Sequence, residues 1–212
     1  MKFNNHELII TYKRIKRLNA RIRDNKILVS APYFTKDEVI FNLLDSNKYR
    51  IEKLFNNPVK TDPNVMYVWG KKYNICKIEG KENKIVLMDE IAYVFYKKDY
   101  LEVIDKYYKD QTFEELTNLS YKYKNVMIEN NIMYNKLSIK KMKSRWGSCL
   151  VSKKNITINS NLAKYDKLCI EYVFCHEIAH IKYPNHSKSF HNFIYTYFKY
   201  EKEARKNLKK HY

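Results

Sequence analysis

The sequence predicts an α+β protein: a β-rich N-terminal part, a helical middle, and a compact C-terminal unit in which a small sheet packs on a helix carrying an H-E-x-x-H pentapeptide. Three observations predict it. Short β-prone runs separated by turn residues fill most of the first 97 positions, an apolar helical period runs from about 99 to 130, and a second helical pattern surrounds His176-Glu177-Ile178-Ala179-His180. They divide the chain into a β-rich lobe with one helix over 1–97 and a helical region over 98–212, or leave it one continuous domain. With 212 residues, 45% hydrophobic and 15% aromatic, the chain has enough apolar surface for a packed core.

The elements follow in order. Leu8–Tyr12, Ala20–Arg23 and Ile27–Ser30 are β-prone, with Asp24-Asn25 as a turn, and predict a small antiparallel meander. Thr35-Lys36-Asp37-Glu38 has the form of a capping box, and Val39, Ile40, Leu43, Leu44 and Ile51 continue a helix to about Phe55. Asn56-Asn57-Pro58 and Asp62-Pro63-Asn64 bracket a loop that marks a hinge. Beyond it Val65–Trp69, Tyr73–Ile78, Ile85–Met88 and Ile91–Tyr96 read as successive hairpins of one curled sheet, punctuated by Gly70, Gly80 and Asp89-Glu90. The following helix is expected to break near Asp110-Gln111, where Thr112 and Glu115 form a second capping pattern. Lys136–Met142 and Asn155–Asn159 predict strands, and helices fill the tail from about Asp166.

Composition narrows the function classes. The longest apolar run, Ile91–Tyr96, is far short of the roughly 18 residues of a membrane span, and the N-terminus lacks the pattern of a secretion signal. A cytoplasmic protein is expected. Cys76, Cys149, Cys169 and Cys175 have no C-x-x-C spacing and read as buried free thiols. The net charge of +18 admits a nucleic acid or nucleotide as partner through counterion release. Of the 41 basic residues, however, 34 are Lys and 7 Arg, and the scarcity of Arg weakens the case for base readout.

The pentapeptide is the most specific signal. Residues four apart share a helix face, so His176 and His180 reach one ion, and Glu177 falls beside the metal-bound water as a general base. With 6 His and 14 Glu in the chain, the pattern arises by chance roughly 0.01 times per shuffled sequence. A catalytic zinc takes three protein ligands and keeps a fourth position for water. His186 follows at H-E-x-x-H-x5-H spacing, with Pro184 and Asn185 ending the helix so that the chain turns back; His191 is the competing third ligand. A metzincin would carry Gly where Tyr183 stands, and a later glutamate such as Glu201 or Glu203 would make the site a gluzincin.

These residues resemble the YgjP-like metallopeptidases, relatives of the SprT-like and WLM groups. Lys143-Ser144-Arg145-Trp146-Gly147-Ser148-Cys149, Ile156-Thr157-Ile158-Asn159, Tyr172-Val173 before the pentapeptide, and Asn185-His186-Ser187 with Phe190 are similar to the family's segments. Arg14, Arg17, Ala31-Pro32 and Gly70-Lys71-Lys72-Tyr73 extend the likeness into the N-terminal half; His191 stands where the family places an aromatic residue. The resemblance implies a C-terminal zincin-like catalytic unit with His176, His180 and His186 as zinc ligands.

The expected activity is zinc-dependent hydrolysis with Glu177 activating zinc-bound water, and the resemblance implies the metallopeptidase type with a peptide or protein substrate. Within the K-S-R-W-G-S-C segment, Gly147 would allow a backbone conformation other residues resist, and Trp146 would pack beside the motif helix. Arg145 either steadies a developing oxyanion or makes a structural ion pair. Asn155–Ser160 is either the edge strand that a peptide joins or an interior strand. Tyr172, Tyr183 and Tyr195 are core or rim aromatics. A nucleotide phosphohydrolase, and a nucleic-acid-associated module with a non-catalytic zinc, are the alternatives that the charge supports.

Overall fold

Apolar residues at every second position build the first sheet. In the computed structural model, which describes residues 1–23, 25–56 and 62–210, its strands are β1 (Lys2–Phe3), β2 (His6–Lys13), β3 (Asn19–Arg23) and β4 (Lys26–Pro32). Leu8, Ile27, Val29 and Ala31 share one face and are at most 2% exposed. The predicted antiparallel meander is corrected: the order is β1-β2-β4-β3, β2 and β4 run parallel, and β3 lies at the edge. Inserting β4 between β2 and β3 gives the most buried strand ladder partners on both sides.

Ile40, Leu44 and Ile51 cover this face from α1 (Asp37–Ser46) and α2 (Lys48–Asn56). One helix to Phe55 was expected. It is interrupted at Asn47, whose side-chain amide donates to the Leu43 carbonyl at 2.9 Å. The capping box does not form either, because the Thr35 hydroxyl turns back to donate to the Pro32 carbonyl at 2.8 Å. Of the predicted turns, Asp24 lies outside the described residues, as do Asn57 and Pro58 of the hinge.

The chain divides into two compact units, Met1–Lys60 and Thr61–Tyr212. The second sheet therefore belongs with the C-terminal unit, whereas the sequence grouped it with the first 97 residues. The reason is packing: Met66, Val68, Ala92 and Val94 are buried with Val103, Ile104 and Tyr108 of the helix that follows. Its strands are β5 (Val65–Val68), β6 (Lys71–Glu79), β7 (Lys84–Met88) and β8 (Ile91–Tyr96). They adopt the order β5-β6-β8-β7: β5–β6 and β7–β8 are the expected antiparallel hairpins, but β6 pairs in parallel with β8 rather than antiparallel with β7.

The helix α3 (Tyr100–Lys122) runs unbroken through Asp110-Gln111. Thr112 is fully buried within it, and its hydroxyl reaches the Tyr108 carbonyl at 2.7 Å and the Ser160 carbonyl at 3.2 Å, so it ties the helix to a distant segment instead of starting a new one. A short α4 (Lys124–Glu129) follows.

The third sheet is small: β9 (Lys136–Lys140), β10 (Gly147–Leu150) and β11 (Asn155–Asn159), in the order β10-β11-β9. The motif helix α5 (Lys167–Lys182) packs on it, followed by α6 (Lys188–Tyr197) and α7 (Glu201–Asn207). Most of α5 is apolar on every side, as expected of a core helix: Ile170, Phe174, Cys175, Ile178 and Ala179 are wholly buried among Ile156, Ile158, Phe190 and Ile194. The second sheet braces its start. The Trp69 and Gly70 amides donate to the carbonyls of Ala163 and Lys164, and Gly70 adopts φ +82° against the backbone of Asp166, the N-cap of α5. The whole is a mixed α+β structure, and among the described residues no helix is long and apolar enough to cross a membrane.

Candidate metal centre

Helical geometry places His176 and His180 one turn apart on α5, as their spacing requires. Tyr183 ends the helix, and the Pro184-Asn185 segment returns His186 to the same spot before the Ser187 hydroxyl caps α6. The Nε2 atoms of His180 and His186 lie 3.1 and 3.2 Å from Nε2 of His176. All three residues offer a ligand atom within 4.8 Å of one another.

This donor set fits a metal. Nitrogens bound tetrahedrally to zinc at about 2.0–2.1 Å stand about 3.3–3.4 Å apart, close to the two separations seen. Hydrogen bonding among the rings does not account for them, since one Nε2 of His176 has a single in-plane proton or lone pair for two neighbours. The Nδ1 of His180 is 3.2 Å from the Tyr183 carbonyl. Donating there leaves the Nε2 lone pair free to face the cluster.

Burial favours the neutral form of His176 and His180, the form that ligates. It depresses the pKa of His176 to about 3, helped by His180 and His186, and it lowers that of His180 as well. Phe190, at 1% exposure, forms a floor under all three rings, with centroids 4.9, 4.7 and 4.8 Å from those of His176, His180 and His186. The Nδ1 of His176 is buried without a hydrogen-bond partner among the described residues, so packing by Phe190 and Tyr172 orients that ring.

Glu177 is 5% exposed, its carboxylate lies against Gly147 of β10, and it lines the same cleft as His176 and His180. Burial raises its pKa to about 7, and the positive charge of Arg145 opposes the rise. A Cβ added at Gly147 would lie 2.5 Å from Glu177 Oε1 and 2.8 Å from Val173 Cγ1. Gly147 is thus required for close approach; its φ is not left-handed, which corrects the conformational role expected of it.

Arg145 lines an open cleft of about 370 Å³ with Gly147, Ser148, Cys149, His176, Glu177 and His180. Its guanidinium makes no ion pair among the described residues, so the structural alternative has no partner. The segment is held instead by Asn159. This 2% exposed side chain donates to the carbonyls of Met142 and Arg145 at 2.9 Å each and accepts from the Met142 amide at 3.1 Å. Trp146 packs edge-on to Tyr165 at 4.9 Å. Burial raises the Cys149 thiol to about 11, with Glu177 adding to the effect.

His191 stands outside the cluster, its ring 6.3 Å from that of His186, and Glu201 is engaged by Arg205 and Tyr172. Asn155–Ser160 proves to be interior: β11 pairs on both sides, and the edge strands of this sheet are β10 and β9. Sequence reasoning missed Asn159 and the role of Phe190. Both carried a signal, an amide ending an apolar strand and an aromatic one helical turn after the third histidine.

A family model described as YgjP-like, metallopeptidase domain matches residues 16–211. Two crystal structures of metallopeptidase zymogens are similar over part of the chain. Jannalysin of Methanocaldococcus jannaschii is 26% identical with a TM-score of 0.37, covering 42% of this chain and 92% of that one. Abylysin of Pyrococcus abyssi is 18% identical with a TM-score of 0.37, covering 42% and 90%. No curated protein matches the chain.

Proposed function

This chain belongs to the YgjP-like metallopeptidase family, and from that premise we propose that it is a zinc peptidase whose metal is held by His176, His180 and His186 and whose general base is Glu177. Membership makes it a metallopeptidase-type hydrolase, dependent on a divalent metal. The observation that carries the finer assignment is the convergence of three Nε2 atoms beside a buried carboxylate.

When bound, zinc supplies Lewis acidity that polarises the scissile carbonyl and lowers the pKa of water to about 7. Glu177 takes the proton of the attacking water at its carboxylate and passes it to the leaving amine. A pKa raised toward neutrality suits a group that must both accept and release that proton. Arg145, exposed at the lip of the cleft, stabilises the negative charge that grows on the carbonyl oxygen. The free side of β10 binds an extended peptide by main-chain hydrogen bonds, which selects for backbone rather than side chains.

The test is a peptide library and a nucleotide panel incubated with zinc-loaded wild type and Glu177→Gln. Wild type is expected to cleave peptides, and the variant to keep its zinc while losing turnover by about 10²- to 10⁴-fold. A variant that cleaves at the wild-type rate ends the base assignment; turnover of nucleotides alone ends the peptidase reading.

A further inference from the structure

The first sheet buries one face under α1 and α2, and among the described residues no element of its unit covers the other. Register lines up Thr11, Ser30 and Asn19 in one row of that outer face, and Ile9, Leu28 and Arg21 in the next. The connection from β2 to β3 rises beside them. Together they form a basin of about 480 Å³ with four cations at its wall, Lys13, Lys16, Arg17 and Arg21, and with Asn19 and Ser30 as neutral hydrogen-bonding groups. No carboxylate lines it, and the four cations make no ion pair among the described residues.

The charge is concentrated here for its type. Residues 1–60 hold 13 Lys and Arg against 6 Asp and Glu, and five of the seven arginines of the chain. An exposed cluster of like charges repels itself, so its presence without acidic neighbours points to an anion supplied from outside.

We propose that this basin binds the phosphate backbone of nucleic acid irrespective of base sequence. Arginine forks pair with phosphate oxygens in a bidentate way, lysines neutralise them as point charges, and amides and hydroxyls such as those of Asn19 and Ser30 complete backbone contacts. A chain bearing one negative charge per unit meets all four cations at once. An acidic peptide does so only where its carboxylates are clustered. The site adds a binding activity to the hydrolase and does not depend on the peptidase reading.

The test is fluorescence anisotropy of a labelled mixed-sequence oligonucleotide, single-stranded and duplex, titrated with full-length protein across a salt series. Four phosphate contacts predict that log K falls with log salt with a slope of about −2.8 for the single strand to about −3.6 for the duplex, a loss of about 50- to 150-fold between about 50 and about 200 mM salt. Changing Lys13, Lys16, Arg17 and Arg21 together to Gln is expected to flatten that slope by about 3. Changing Lys188, Lys199, Lys202 and Lys206 to Gln removes the same charge elsewhere and is expected to leave most of the slope in place. Equal losses in both variants, or no binding by wild type, would overturn the proposal. So would displacement of the oligonucleotide by polyglutamate at equal charge concentration, which would assign the basin to acidic protein. Should the first variant fail to fold, amine-reactive labelling of wild type decides: bound oligonucleotide must protect Lys13 and Lys16, and unchanged labelling rejects the site.

Discussion

His6, Glu52 and Phe55 come together in the first unit and His176, Glu177 and Phe190 in the second, and of the two only the second gathers three imidazoles. In the first unit His6 lies 3.4 Å from Glu52 and stacks flat on Phe55 at 3.5 Å, so the carboxylate satisfies the imidazole. In the second unit three imidazoles face one another over Phe190, and Glu177, packed against Gly147, makes no hydrogen bond to any of them among the described residues. The difference teaches that the same residue types either pair with one another or are kept unpaired: Glu52 lies within hydrogen-bond distance of His6, and Glu177 of none of the three imidazoles among the described residues. Burial and close packing, not residue type, enforce that separation.

The comparison is sharpened most by removing the floor. Phe190→Ala is expected to destabilise the protein by about 3–5 kcal/mol and to weaken zinc retention, because the three rings lose the surface that aligns them. Denaturant melts and metal analysis check this; a variant that holds zinc as wild type does would show that the rings orient themselves.

Gly147→Ala attacks the other half of the arrangement, the seat of the carboxylate. The added methyl meets Glu177 and Val173 well inside contact distance, so a loss of about 1–3 kcal/mol is expected. Turnover should drop by about tenfold or more with a shifted pH profile and little change in zinc content or KM. An unaltered kcat would mean that the Glu177 position is not set by this contact.

The smallest effect belongs to the first constellation. Glu52→Gln breaks a partly exposed pair and should cost about 1 kcal/mol or less, with zinc content and peptide turnover unchanged. Loss of metal in that variant would erase the contrast between the two sites.

Much of this was legible in the residues. The strand at Asn155–Asn159 and the start of α5 near Asp166 follow from alternation and helical period, which are local. The misreadings share a cause. Thr35 and Thr112 both looked like caps, yet each hydroxyl found a carbonyl, that of Pro32 for one and those of Tyr108 and Ser160 for the other. The strand at Gly147–Leu150 went unseen because its partner, β11, not its own pattern, makes it a strand. Parallel pairing of β2 with β4, and of β6 with β8, likewise reflects which strand needs two neighbours, a property of the assembled sheet.

Spacing alone determined that His176 and His180 share a helix face and that Glu177 stands beside them, because an α-helix repeats every 3.6 residues wherever it occurs. The tertiary structure decided that His186 rather than His191 completes the cluster, that β11 is interior, and that Gly147 gives Glu177 its seat. Those outcomes rest on contacts between residues far apart in sequence, whose geometry exists only once the intervening chain has packed.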